Sequence, residues 1–454
     1  MKKIILLLLI SLTSFANYLD DNLKKDNWEG VEIIWLVDNS FPTYDISIFF
    51  EGGAYDDPKG KEGLTALSLN LLTLGTNRYN QEHILDTLEF YGVSYGANST
   101  HEYATYDVSG LVKDVLPTMK MVCHMFRDAT YPKKELKKSI KRLKTAQRRM
   151  ITNHGALASY ISRIVTLRKT GFERPADGNL NSYNRIKGSD LTARLKQLNN
   201  ETRKRIYIRG PEELESLRNV FKNDCKWSNE GLTAKNYPDV KRGLSPNAGG
   251  VFLVPVKDAN QAQVRIGTYM SKEEAHADYA LAAFTSKFMG GGFTSRLMQA
   301  LRVNSGLTYS AGSYASPQKN YGRKGISTFT KNETIVELLQ KIDEVVKKNS
   351  KNIPQDLLQR NKVFVKGNYL YELESTSSFL ATLQYYDTVG RPYKDIYQYP
   401  KAVEALTREQ VQNKVKSLFQ DPDNVTVIVG NISLKETLEK AGYKVNVIKA
   451  EDYL

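Results

Sequence analysis

Residues 31–37 form an almost unbroken apolar run, and residues 44–50 alternate polar and apolar before closing on two phenylalanines. Both patterns predict strands, joined by the turn residues Asp38, Asn39 and Ser40. Residues 17–27 are polar and read as a loose terminus. After Gly52 and Gly53, the side chains of Leu64, Leu67, Leu71 and Leu74 share one face of a helix over 63–74, which Gly75 ends. Further helices fall at 81–91, 115–128, 133–151, 190–198 and 212–220, with two strands inside 94–112 and one at 205–209. Residues 227–250 are rich in Asn, Gly, Pro and Ser and have little periodicity, so 228–250 reads as a linker.

The second half repeats the plan. Strands are expected at 251–254, 262–269, 307–315, 325–330 and 425–429, and helices at 276–289, 295–303, 334–349, 354–372, 376–389 and 407–419. A duplication at a period near two hundred residues accounts for this order better than one irregular domain. The expectation is an α+β protein of two tandem homologous domains, 17–227 and 251–454, each a mixed, mostly antiparallel sheet with helices packed on one face.

Composition changes this picture little. A hydrophobic fraction of 41% over 454 residues is ordinary for a globular chain with room for two or three cores. The start of the chain is different. Lys2 and Lys3 precede an apolar run over 4–10, and Ser14, Phe15 and Ala16 resemble a cleavage site. Residues 1–16 are therefore expected to be a secretory signal, and the mature chain an exported, periplasmic protein with no membrane span. The net charge of +14 has one concentrated source: residues 136–172 contain no Asp or Glu while Lys and Arg recur. A basic helix at 137–149 reads first as a solvated face; the lesser alternative is a polyanion or envelope binder whose affinity would fall steeply with salt. No nucleic-acid-reading motif accompanies it, so no nucleic-acid partner is expected. Cys123 and Cys225 suit either one long-range disulfide or two buried thiols.

Several stretches resemble one family, the insulinase and pitrilysin-type zinc peptidases and their processing-peptidase relatives. The most specific runs from Gly290-Gly291-Gly292-Phe293-Thr294-Ser295-Arg296-Leu297 through Arg302 to Gly306-Leu307-Thr308-Tyr309. Lys331-Asn332-Glu333, Gly390-Arg391-Pro392 and Asp421-Pro422-Asp423-Asn424 follow in order. In the first half, Gly63-Leu64 and Leu74-Gly75-Thr76 match the borders of the helix that carries the family's His-x-x-Glu-His motif, and Arg174-Pro175 with Asp177-Gly178 match a later segment.

A catalytic zinc needs three protein ligands and an open position. On a helix, two imidazoles at i and i+4 share a face, and the Glu between them serves as base. Aligning the motif's borders puts Ala66 and Asn70 at the histidine positions and Leu69 at the glutamate. The third ligand should be acidic near 142–146, where no carboxylate occurs. No metal is therefore expected on this chain. The resemblance implies that Arg302 and Tyr309 assist catalysis, that Gly290, Gly291, Gly292 and Phe293 bind substrate, and that the strand region 94–105 takes up peptide by strand addition. From the residues alone, Arg302 reads as a helix-surface charge and Tyr309 as a half-buried strand residue. A retained Arg/Tyr pair beside an erased metal motif implies a zinc-less subunit, inactive alone, that binds peptide and works with a homologous partner carrying the zinc. The alternative is a non-enzymatic peptide-binding or scaffold protein of the envelope.

Overall fold

The computed structural model describes residues 21–243 and 250–454, so the expected signal at 1–16 lies outside the described residues. Among the described residues, twelve strands form two six-stranded sheets. The first half contains β1 Leu23–Trp28, β2 Val31–Val37, β3 Thr43–Phe50, β4 Ser94–Ser99, β5 Ala104–Leu111 and β6 Lys204–Gly210. Its longer helices are α1 Leu64–Asn70, α2 Gln81–Phe90, α3 Val115–Asp128, α4 Lys133–Arg149, α5 His154–Thr166 and α6 Gly188–Glu201. The second half contains β7 Val251–Pro255, β8 Gln261–Met270, β9 Ala311–Pro317, β10 Gly322–Lys331, β11 Val425–Gly430 and β12 Val445–Val447. Its longer helices are α7 Tyr279–Gly290, α8 Ile335–Lys351, α9 Gln355–Glu372, α10 Thr376–Thr388, α11 Lys394–Ala405 and α12 Arg408–Phe419.

The strand orders are β1-β2-β6-β3-β5-β4 and β12-β7-β11-β8-β10-β9. Each sheet is mixed and mostly antiparallel, with the parallel pairs β2–β6, β7–β11 and β7–β12. The α+β class and the duplicated plan expected from the sequence are therefore the observed ones. The chain divides into two compact units. Unit 1 comprises residues up to 144, 175–237 and 373–387; unit 2 comprises 145–174, 238–372 and 388–454. Each unit thus takes one helix from the other half of the sequence: α10 belongs to unit 1 and α5 to unit 2.

In unit 1, strand alternation puts Ile46, Ile48, Phe50, Tyr106 and Val108 on one face of the sheet, where they bury with Leu64, Leu67 and Leu69 of α1 and Val122 and Phe126 of α3. Cys123 and Cys225, both fully buried, form a disulfide that ties α3 to the end of the first half. The opposite face carries α10, held by hydrogen bonds from Thr376 to Asp38 at 2.7 Å, Ser377 to Asp45 at 2.8 Å and Gln384 Nε2 to Ser47 at 2.9 Å. In unit 2, α5 takes the same place, with Leu157, Ala158, Ile161 and Val165 buried.

Four expectations need correction. Residues 23–28, read as part of a loose terminus, are a strand. β1 pairs antiparallel with β2 across a two-residue turn in which Glu29 and Gly30 both have positive φ, as a tight hairpin requires. Its middle residues are exposed because it is an edge strand, so the period-two pattern that marks a half-buried strand is missing. Residues 154–166, given no element from the sequence, form α5. The helix expected at 295–303 is α-helical only over Arg296–Met298 and then widens to a π-helical turn at Gln299–Asn304. The strand expected from 307 starts only at Ala311, because Thr330 and Thr328 of β10 donate to the carbonyls of Leu307 and Ser310 and hold that segment in a loop.

Candidate functional site

The helix at the degenerate motif is short and buried. Gly63 starts α1 with φ +85°, and a Cβ there would lie 2.6 Å from the Asp177 and Gly178 backbone, so the position needs glycine. Asp57 accepts from the Thr65 backbone at 3.0 Å and from its hydroxyl at 2.5 Å. Arg194 donates to the same hydroxyl at 2.8 Å and to the Gly53 carbonyl at 3.0 Å. Burial pushes the Asp57 carboxyl up to about 6, against the lowering effect of these partners. The start of α1 is therefore locked by a polar network that the sequence did not reveal, since its members are spread from 53 to 194.

The three motif positions point to different surroundings. Ala66 and Leu69 are buried in the core, and Asn70 is exposed, with its amide donating back to the Ala66 carbonyl at 2.9 Å. A methyl group and an isobutyl group offer no donor atom to a metal, and the Asn70 amide is already used within its own helix. These residues do not fit a zinc ion. Among the described residues, no group of three His, Cys, Asp or Glu side chains could hold a metal. On the same unit, β4 is the last strand in its sheet, paired with β5 alone, and its residues 94–96 are exposed.

In unit 2, the structure brings Arg302, Tyr309 and Phe293 together. The Arg302 guanidinium lies 5.2 Å from the Phe293 ring centre and 5.4 Å from that of Tyr309, so it is held between two aromatic faces. The π-helical turn carries Arg302, and the loop after Gly306 carries Tyr309. Tyr309 is 76% exposed and Phe293 56% exposed, which leaves the cluster open to solvent. The glycines divide in role. A Cβ on Gly290 would lie 2.0 Å from the Ser313 backbone nitrogen and one on Gly291 2.6 Å from Lys287, so packing alone accounts for both. Gly292 has φ +122° and meets only the tip of Phe364 at 3.8 Å. Gly292 and Phe293 are thus the parts of the run that face outward.

Two family models match the chain: one described as insulinase (peptidase family M16) over residues 34–166, and one described as peptidase M16 inactive domain over 206–363. The chain belongs to the insulinase family. Within that family, it is 22% identical over 437 residues to a Helicobacter pylori protein named non-peptidase homolog YmxG, covering 95% of this chain and 99% of the relative. It is 21% identical to a Bacillus subtilis protein named uncharacterized zinc protease YmxG, covering 86% and 94%. A solved peptidase M16 inactive domain from Pseudomonas fluorescens superposes with a TM-score of 0.79 at 20% identity, covering 90% of this chain and 98% of that one. A solved protease from Helicobacter pylori superposes at 0.77 and 16% identity, covering 90% and 99%.

Proposed function

We propose that this insulinase-family member is the zinc-less subunit of a two-chain peptidase. It binds peptide and lends Arg302 and Tyr309 to a homologous partner that carries the zinc motif. One observation carries the reading: in unit 2 a half-buried arginine is held between two exposed aromatic rings, while in unit 1 the residues expected at the zinc-ligand positions are Ala66 and Asn70. A guanidinium clamped in this way is preorganised to hold a carbonyl or carboxylate, and a phenol beside it can donate to developing negative charge. The exposed edge of β4 suits main-chain pairing with an extended peptide. The setting proposed is the periplasm, reached through the signal at 1–16.

The test is reconstitution with a homologous chain bearing an intact His-x-x-Glu-His, followed by peptide-cleavage assays. Cleavage should require both chains and should fall when either Arg302 or Tyr309 is replaced by alanine. A pair whose rate is indifferent to both substitutions would overturn the reading. The name of the Helicobacter pylori relative, a non-peptidase homolog, favours a second reading, a peptide-binding scaffold of the envelope. That reading predicts peptide binding without cleavage in the presence of any zinc-bearing partner.

A further inference from the structure

The two units can be compared position by position, because their strands follow the same order. Gly210 ends β6 and Gly430 ends β11, and a Cβ on either would meet the Cδ1 of a leucine four residues on, Leu214 or Leu434, at 2.6 Å. With these glycines equated, Ile208 matches Ile428. Ile208 opposes Ile46 and Ile428 opposes Val264, so Ser47 of β3 matches Arg265 of β8. On the next strand, Asp107 opposes Ser47 and Ser327 opposes Arg265. The helices laid over these strands match as well: Ser377 of α10 bonds to Asp45, and the Cα of Gly155 in α5 faces Gln263, the residue equivalent to Asp45.

In unit 2, a guanidinium fills the space between strand and helix. Arg265 donates from Nη2 to the Gly155 carbonyl at 3.0 Å and from Nε to the Ser159 hydroxyl at 3.0 Å. In unit 1 the matching helix positions are Ser377 and Ala381, and the matching strand position is the short Ser47. The space that Arg265 fills in unit 2 is a groove of about 350 Å³ in unit 1, lined by Ser47, Gly96, Asp107, Ser377, Ala381 and Gln384.

The groove contains an uncompensated acid. Asp107 accepts from the Ser47 hydroxyl at 2.5 Å and from the Thr105 hydroxyl at 3.2 Å, and among the described ion pairs none includes it. Asp107 is itself open to solvent through the groove, and the desolvation by its surroundings still raises its carboxyl above the usual range. Its neighbour Asp45 is already paired with Arg209 at 2.6 Å. Each carboxylate oxygen of Asp107 keeps a lone pair beyond the one its hydroxyl partner uses. By strand alternation, Ser47 and Asp107 lie on the sheet face opposite Ile46, Ile48 and α1, so this groove is separate from the motif helix.

We propose that the groove binds a guanidinium group supplied from outside the chain, with Asp107 as its carboxylate partner and α10 as its wall. The geometry is that of unit 2 with the cation made into a ligand. A planar fork of donors suits a carboxylate with both oxygens available. The same chemistry can arrive as a free arginine-type molecule or as the arginine of a peptide.

Calorimetry on the full chain tests this with L-argininamide and its neutral analogue citrullinamide. Argininamide should bind and citrullinamide should bind at least about tenfold more weakly. Asp107→Asn should weaken argininamide by a similar factor. Ser47→Arg should abolish binding by filling the groove from within, as Arg265 does in unit 2, without lowering the melting temperature. A capped pentapeptide with one central arginine that binds more tightly than argininamide identifies a peptide as the source, and equal affinity identifies the free cation. The proposal is overturned if the wild-type chain does not distinguish argininamide from citrullinamide, or if Ser47→Arg folds and binds argininamide unchanged. The citrullinamide comparison needs no variant, so a poorly folding Asp107→Asn leaves the test intact.

Discussion

Arg302 shows how much a single residue's surroundings decide. It lies between Phe293 and Tyr309, and among the described ion pairs none includes it, which keeps its charge available. Because the cluster is exposed, Arg302→Ala should cost less than about 1 kcal/mol of stability, measured by urea denaturation. In the reconstituted pair, Tyr309→Phe should lower kcat about a hundredfold if the phenol stabilises an oxyanion, with KM little changed. Asp57 is the opposite case, a buried acid with a structural task. Burial pushes its folded carboxyl up to about 6, well above the usual carboxylate value, so the folded state binds the extra proton in that window. Its contribution is fully present below the unfolded value and is lost as pH rises through about 6. The stability of the wild type relative to Asp57→Asn should therefore fall by up to about 3 kcal/mol between pH 4 and 7, a trend that melting curves at each pH would reveal.

At the scale of elements, α1 and the disulfide matter most. Leu69, the residue expected at the family's general-base position, is 1% exposed within the unit 1 core. Leu69→Glu should cost more than about 3 kcal/mol, so restoring that one motif residue should lower the melting temperature and restore no activity. The Cys123–Cys225 bond closes a loop of 102 residues, and losing it frees a large unfolded ensemble. Replacing either cysteine with serine should cost about 3–5 kcal/mol, visible as a lower urea midpoint that reducing agent reproduces in the wild type. The sequence left open whether these cysteines were bonded, because spacing alone does not bring two thiols together. It did mark the helix that carries Cys123, since α3 is strongly amphipathic, with Met119, Val122, Cys123 and Phe126 buried along one face.

At the scale of the whole molecule, the duplicated order of strands and helices was legible because each half repeats the same apolar runs and punctuation. The exchange of α5 and α10 between units was not, since local periodicity reports which face of a helix is buried and not which sheet buries it. Leu157, Ile161 and Val165 had helical spacing that would have revealed α5 itself. No helix in the described residues is long and apolar enough to cross a membrane, and the charge of α4 sits on exposed side chains. Exposed Lys137, Lys138, Arg142 and Arg148 lie along it, and any binding it mediates should weaken steeply with added salt.

The sequence by itself determined the two α+β halves, and its family resemblance singled out 66, 69 and 70 as expected zinc-motif positions without ligand-type side chains and Arg302 and Tyr309 as candidate site residues. The first follows from local pattern and the second from that resemblance, and neither needs a partner in space. Only the tertiary structure decided that Phe293 closes the other side of Arg302, that Asn70 turns back on its own helix, and that Cys123 meets Cys225. It alone also opposed Ser47 and Asp107 to α10 and left a groove where unit 2 places Arg265. The contacts of Cys123, Ser47, Asp107 and Arg265 join residues from tens to hundreds of positions apart, and proximity of that kind is fixed by how strands pair and helices pack; the shorter-range contacts of Asn70 and Phe293 depend on side-chain orientation, which periodicity does not report.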